Sequence, residues 1–284
     1  MYTGSCLCGT VRYQVIGPFL LMANCHCSMC RKHHGAMFST FISAPDAGFR
    51  WVAGRENIET YPSSEHGRRP FCRTCGSVVP MLLEAMSQVL IPAGNLEDDP
   101  GLRPQMHMFT GSRAPWYPIT DGLPQHAGYP PKFGGGMGIE RPRSPQIPGV
   151  THGSCLCGDV AWELAGKPER IQNCHCSRCR LARSAAHATN AFYLREQLTW
   201  RQGADRITHY SLPGAKYFGQ DFCCRCGSPV PRINAATGRA VVPCGGLDTD
   251  PGARPVGNVF ATSRAQWFEI TDGLPQWEAY PART

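Results

Sequence analysis

Three cysteine clusters recur in the same order in the two halves of this chain, and they restrict the fold more than any hydrophobic pattern does. The first half carries Asn24-Cys25-His26-Cys27-Ser28-Met29-Cys30-Arg31, and the second carries Asn173-Cys174-His175-Cys176-Ser177-Arg178-Cys179-Arg180. Flanking these trios are Cys6, Cys8, Cys72 and Cys75 in the first half, and Cys155, Cys157, Cys223 and Cys226 in the second. Sixteen cysteines are many for 284 residues. A bridge within Cys-x-Cys would close a strained ring, and the start Met1-Tyr2-Thr3-Gly4 does not read as a secretion signal. Metal ligation is therefore the expected use of the thiols.

The repeat sets the domain organisation. Gly4-Ser5-Cys6-Leu7-Cys8-Gly9 returns 149 positions later as Gly153-Ser154-Cys155-Leu156-Cys157-Gly158, and Trp51 and Tyr61 return as Trp200 and Tyr210. Phe71-Cys72-Arg73-Thr74-Cys75-Gly76-Ser77 and Phe222-Cys223-Cys224-Arg225-Cys226-Gly227-Ser228 match at 151, as do Thr120-Asp121-Gly122-Leu123-Pro124-Gln125 and Thr271-Asp272-Gly273-Leu274-Pro275-Gln276. Two residues are thus inserted in the second copy between Tyr210 and Cys223. We expect domains at 1–127 and 151–284, joined by a Pro/Gly-rich linker at 128–150 whose composition argues against a packed element.

Within each copy the pattern is mainly β. Val11, Tyr13 and Val15 alternate with Arg12, Gln14 and Ile16, and Val160, Trp162 and Leu164 alternate with Ala161, Glu163 and Ala165. Short helices are expected only from Ser28 to His34 and from Ser177 to Ala186. No run reaches the ~20 apolar residues of a membrane span. The expected location is the cytoplasm, with no membrane partner.

The formal charge of +7 raises the question of nucleic acid. Two four-thiolate zinc sites and two three-thiolate sites would bring about −6, leaving roughly +1. The basic residues are also dispersed along the chain, so nucleic acid is not the expected partner.

The outer cysteines form complete sets of four: Cys6, Cys8, Cys72, Cys75 and Cys155, Cys157, Cys223, Cys226. Alignment selects Cys223 over Cys224 because Cys223 follows Phe222 as Cys72 follows Phe71. Four thiolates leave no open position, so a zinc there is structural. Cys-x-x-Cys-Gly supplies a glycine able to take φ > 0 and turn backbone N–H groups toward sulfur. The trios Cys25, Cys27, Cys30 and Cys174, Cys176, Cys179 have three donors and an open fourth position. Candidates for that position are His26, His175, His33, His34, His187, a distant residue or an external thiol. For His26 and His175 a backbone hydrogen bond, a part in proton transfer and ligation all stand as readings. A zinc with three thiolates is a weak Lewis acid toward water and suits a soft donor, so the chemistry that fits is thiol addition to an aldehyde, or its reverse.

Other matched residues have simpler readings. Trp116 and Trp267 suit core or lid packing, with pocket walls as the alternative. Asp121 and Asp272 suit Asp-Gly turns. Arg113 and Arg264 suit solvent or a strand edge, with a glutathione carboxylate as the alternative partner. Cys244, aligned with Ala93, suits a small buried site, and Cys224 has no partner in the first copy.

Taken together, Cys-x-Cys, the NCHCSxCR run, Cys-x-x-Cys-Gly, a late Trp and ITDGLPQ resemble the glutathione-dependent formaldehyde-activating enzyme (GFA) family, which includes centromere protein V. The resemblance spans both copies and leaves out the linker. It implies two tandem zinc-stapled, β-rich domains of the GFA-like fold, with two Zn2+ per domain and about four per chain. It further implies carbon–sulfur lyase activity of the S-hydroxymethylglutathione synthase type, with glutathione as co-substrate and formaldehyde as the small aldehyde. Cys25, Cys27, Cys30 and Cys174, Cys176, Cys179 match the family's catalytic zinc ligands, and the outer cysteines match the structural ones. The second copy departs from the pattern, with Ser184 at the place of Gly35 and His187 at the place of Phe38, which favours the first copy for the family reaction. The alternative functions are a zinc-binding interaction module, for protein or nucleic acid, and a thiol redox or metal-handling protein.

Overall fold

The computed structural model describes residues 1–65, 67–136 and 146–281. It is mainly β, with two α-helices among the described residues, α1 (Ser28–His34) and α2 (Ser177–Arg183). In the first copy the strands Tyr2–Ser5, Arg12–Val15 and Phe49–Ala53 form one sheet. A second sheet runs in the order His107–Met108, Leu21–Cys25, Ser39–Pro45, Gln88–Pro92, Met81–Leu83, and Ile58–Pro62 pairs with Arg68–Cys72. The second copy repeats this plan and adds Gln276–Trp277 at the edge of its main sheet. The alternation read from the sequence places Tyr13, Val15, Trp162 and Leu164 in the core, each at most 1% exposed.

Each trio of cysteines sits where a central strand turns into a helix. Cys25 ends the strand Leu21–Cys25, and Cys27 caps α1, its Sγ accepting the Cys30 N–H at 3.3 Å. α1 stops at Gly35, which is left-handed at φ +62° and returns its N–H to the Lys32 carbonyl. α2 ends at Arg183, three residues short of the expected Ala186. Ser184 takes the left-handed turn there at φ +49°, and its Oγ donates to the Val78 carbonyl of the first copy at 2.9 Å. A short parallel pairing then brings His107 beside Asn24 and Asn258 beside Asn173. It fixes what lies behind each trio.

The two copies share one continuous core. Buried residues of both, among them Tyr13, Ile42, Trp162 and Tyr193, belong to a single apolar cluster. α1 buries Arg31, Lys32, His33 and His34, chiefly against the second copy: Lys32 Nζ reaches Asp248, His33 Nδ1 lies 3.2 Å from the Cys226 carbonyl oxygen, and His34 Nδ1 lies 2.9 Å from the Arg183 carbonyl oxygen. The knuckle glycines join the copies as well. Gly76 is left-handed at φ +72°, and a Cβ there would lie 2.6 Å from the Phe222 ring. Gly227 stands in the same relation to Phe71 at 2.4 Å. Both the turn and the close approach exclude a side chain.

Part of the stretch read as a linker packs against the first copy. Tyr129 packs edge-on against Phe109 with ring centroids 4.6 Å apart, and Pro131–Phe133 form a 3-10 turn. The matching Tyr280 packs on Phe260 at 5.2 Å. Residues 137–145, which include Arg141-Pro142-Arg143-Ser144-Pro145, lie outside the described residues. No helix among the described residues is long and apolar enough to cross a membrane.

Candidate metal centres

In both outer quartets the four sulfurs lie within 4.8 Å of one another. Cys6 and Cys8 are 3.4 Å apart at sulfur and Cys8 and Cys72 3.7 Å, and the second quartet repeats these values. A zinc tetrahedron with arms of about 2.3 Å has edges of roughly 3.8 Å, so the donor set and its spacing fit four-coordinate zinc. N–H groups point at the sulfurs: Val11 N at Cys6 and Val160 N at Cys155, both at 3.3 Å, and Asn57 Nδ2 at Cys72 at 3.2 Å. Such donors stabilise thiolate charge.

The trios Cys25, Cys27, Cys30 and Cys174, Cys176, Cys179 also have their sulfurs within 4.8 Å of one another, and among the described residues no His, Asp or Glu joins either set. The first trio is nearly sealed. Its cysteines are 6%, 6% and 4% exposed and lie under Phe109, Met108 and Phe41. In the second, Cys176 and Cys179 are half-buried, and Cys174 and Cys179 line a cavity of about 130 Å³. The more accessible trio is therefore in the copy that departs further from the family pattern.

Beside each trio stands an arginine that the other copy lacks at the matching position, supplied by a different element. Arg69, from the strand Arg68–Cys72, donates to Cys30 Sγ at 3.3 Å. The second copy has Gln220 at that place, and the cation comes instead from α2: Arg183 stands where the first copy has His34 and lines the cavity. Its guanidinium donates to Gln220 Oε1 at 2.9 Å and Asn190 Oδ1 at 3.3 Å. Burial pushes the Arg183 pKa down to about 10, which leaves it charged at neutral pH.

The histidines considered as fourth ligands are all engaged elsewhere. His26 is fully buried, and its Nε2 lies 2.8 Å from His107 Nδ1; His107 Nε2 lies 2.9 Å from Asp121 Oδ1. In the second copy His175 Nε2 lies 2.8 Å from Asn258 Oδ1, and Asn258 Nδ2 donates to Asp272 at 3.0 Å. His33 and His34 meet carbonyls of the second copy, and His187 packs between Phe38 and His175. Burial pushes His26 and His33 down to about 3 and His34 to about 4, and lowers His175 and His187. All five are neutral in the folded chain at pH 7. Among the readings open for His26 and His175, the geometry fits neither ligation nor a backbone partner at Nε2; the rings hold the Cys-x-Cys segment from behind.

Asp121 and Asp272 do close their turns, accepting from Leu123 N and Leu274 N at 3.0 Å, and they also anchor these chains of hydrogen bonds. His107, Arg69, Arg183 and Tyr129 were not singled out from sequence. The offset of 151 that pairs Asp121 with Asp272 also pairs His107 with Asn258 and Tyr129 with Tyr280, a signal that was available. Trp116 and Trp267 are core residues, 6% and 2% exposed. Trp116 also borders a cavity of about 410 Å³ between the copies, with Arg113, Asp121 and Asp272. Cys244 is buried as expected and Cys224 is exposed.

The sequence matches the family of the glutathione-dependent formaldehyde-activating enzyme over residues 1–112 and again over 150–263. A Halomonas elongata protein that carries the provisional name glutathione-dependent formaldehyde-activating enzyme is 29% identical over an alignment of 137 residues that covers 45% of this chain and 87% of that protein. A Schizosaccharomyces pombe protein named as an uncharacterized lyase is 31% identical over 78 residues, 28% of this chain and 55% of that protein. The crystal structure of a Rhodobacter sphaeroides protein is 29% identical, with 34% of this chain and 89% of that one covered and a TM-score of 0.28. Two family matches in register with the two sets of cysteine clusters lead to one conclusion: the chain belongs to the glutathione-dependent formaldehyde-activating enzyme family.

Proposed function

We propose that the chain is a zinc-dependent carbon–sulfur lyase-type enzyme that adds a thiol, glutathione or a close analogue, to a small aldehyde such as formaldehyde, and catalyses the reverse cleavage. The observation that carries this reading is the trio of cysteine sulfurs with no fourth side-chain ligand among the described residues, beside a cavity in the second copy. Bound zinc would supply an open position that keeps an incoming thiol deprotonated near neutral pH. The outer quartets hold structural zinc in the same reading.

The chain's own residues prepare the site. Cys176 accepts the Cys179 N–H at 3.5 Å, which sets both sulfurs at the start of α2. Arg183 offsets the negative charge of the thiolates from a buried position. His175, tied through Asn258 to Asp272, fixes the backbone between Cys174 and Cys176. In the reaction a sulfur–carbon bond forms, the carbonyl π pair moves to oxygen, and the proton lost by the thiol is matched by one gained at that oxygen. No oxidant or reductant is consumed.

Exchange between free and hydroxymethylated glutathione, followed by NMR, tests the reading against the uncatalysed background. The zinc-loaded chain should accelerate exchange, and Cys174→Ser should remove most of the acceleration. A fully zinc-loaded chain that leaves the background rate unchanged would overturn the proposal.

A further inference from the structure

The cavity at the second trio differs in chemistry from the matching place in the first copy, and the differences fall at aligned positions. Gln172, Asn190, Arg232 and Asn234 line it. The first copy has Ala23, Phe41, Met81 and Leu83 at those four places, all apolar. No Asp or Glu lines the cavity, whereas two arginines do.

No carboxylate faces the cavity; the buried Asp221, 2.9 Å from His209 Nδ1, acts electrostatically on both arginines from outside its lining. Arg183 is 8% exposed, gives its two Nη groups to side-chain amides, and has no hydrogen-bond partner at Nε. Cys179 of the trio, Cys244 and Asp221 all act on this cation. Arg232 is a second one. Its Nη1 donates to the Tyr217 carbonyl at 3.2 Å, and its guanidinium lies over Gly219, where a Cβ would stand 3.0 Å from Nε. The missing side chain at Gly219 gives the guanidinium its seat. A planar, permanently charged fork lining the same cavity as two of the thiols recognises a carboxylate in preference to a neutral group of equal size.

We propose that the site of the second copy takes a thiol bearing a carboxylate a few bonds from sulfur, and that Arg232 selects it. This rests on the thiol–aldehyde reading above. The small cavity of about 130 Å³ favours a compact mercapto acid, or the one end of a larger thiol that has this chemistry. The first copy, with Met81 at the position of Arg232, does not share the preference.

Cobalt(II) in place of zinc in the full chain gives a readout independent of turnover, because a new sulfur ligand changes the sulfur-to-cobalt charge-transfer band. A Cys27→Ser background confines the signal from the open position to the second trio. The probes are mercaptoacetate and 2-mercaptoethanol, which are similar in size and differ in charge. Mercaptoacetate should half-saturate at about tenfold lower concentration, the scale of one charge-assisted hydrogen bond. Arg232→Met should abolish that difference by weakening mercaptoacetate alone, and Arg232→Lys should restore part of it. Equal binding of the two probes by the Cys27→Ser parent would overturn the inference without any Arg232 variant. A preference that survives Arg232→Met would overturn it too, while leaving thiol binding intact. If neither thiol alters the band, the thiol–aldehyde reading falls, and this inference with it.

Discussion

Lys32 Nζ lies 2.6 Å from Asp248 Oδ1, with the two side chains 5% and 14% exposed, so an ion pair crosses the boundary between the copies in near-complete burial. Ser154 Oγ completes the cluster, accepting from Lys32 Nζ at 2.6 Å and donating to Asp248 at 2.7 Å. The pair exists in one direction only. The aligned residues are Leu181 and Glu97, and Glu97 accepts instead from Thr3 and Ser5 of its own copy. Lys32→Leu, which installs the residue of the second copy, should destabilise the chain by about 3 kcal/mol because it strands the Asp248 charge. Adding Asp248→Asn should recover part of that loss. Urea unfolding of the single and double variants checks both, and a Lys32→Leu protein as stable as wild type would show that the cluster contributes nothing.

Metal content separates the two kinds of centre. The loaded chain should contain about four zinc ions. Cys27→Ser should cost one of them while leaving the fold and the second copy intact. Cys75→Ser should cost one and also lower the unfolding midpoint sharply, because binding at a structural zinc site contributes directly to folding. Elemental analysis combined with thermal unfolding decides the matter. A Cys75→Ser chain of unchanged stability would remove the structural role from the outer quartet.

The cysteine clusters were legible in the sequence because spacing nearly suffices: Cys-x-x-Cys-Gly at 72–76 places two sulfurs and one left-handed turn with little help from the rest of the chain. The alternation at Val11, Tyr13 and Val15 likewise exposed its strand. The pairing of the copies was hidden because the face of α1 that forms it is Arg31, Lys32, His33 and His34, four polar residues with no apolar stripe to mark a contact. They are buried against carbonyls and a carboxylate, and binary patterning detects only apolar burial. The arginine of each trio was hidden for a related reason. Arg69 and Arg183 occupy non-equivalent positions, so comparing the copies position by position reveals two unrelated substitutions, although one donates to its trio and the other lines the cavity at its trio.

Buried neutral histidines give the chain a defined acid response. His34 is held down to about 4 by burial, against an ordinary value of about 6.5, so the unfolded chain binds its proton first as pH falls. The stabilisation from the neutral ring is complete above about pH 6.5 and is lost as pH drops through about 4. His26 and His33, held at about 3, extend the same trend lower. Denaturant midpoints between pH 7.5 and 4.5 should therefore fall steadily, and His34→Gln should show a shallower fall over that range. Protonation of the thiolates acts on both proteins alike, so the difference between the two slopes isolates His34. Superimposable profiles would contradict the assignment.

The two copies also supply an internal control for the hydrogen-bonded chain behind each trio. His107 Nε2 donates to the Asp121 carboxylate, which leaves His107 Nδ1 as the acceptor for His26 Nε2–H. Asn258 does the same work with an amide: its oxygen accepts from His175 Nε2–H and its nitrogen donates to Asp272. Both arrangements run in one direction, from the ring between the cysteines to the carboxylate, and both leave Nδ1 of His26 and His175 without a partner. An imidazole and a carboxamide are therefore interchangeable at this position. His107→Asn should retain the fold, the metal content and most of the stability. His107→Leu has comparable bulk but neither donor nor acceptor, and strands the fully buried His26 Nε2–H together with one face of Asp121. It should cost about 1–3 kcal/mol, the penalty of an unsatisfied buried polar group, and should loosen metal at Cys25, Cys27 and Cys30 before the outer quartet is affected. Urea midpoints with zinc release under chelator distinguish the two variants. Equal losses from Asn and Leu would mean that His107 acts through its shape, and the tautomer argument would fail.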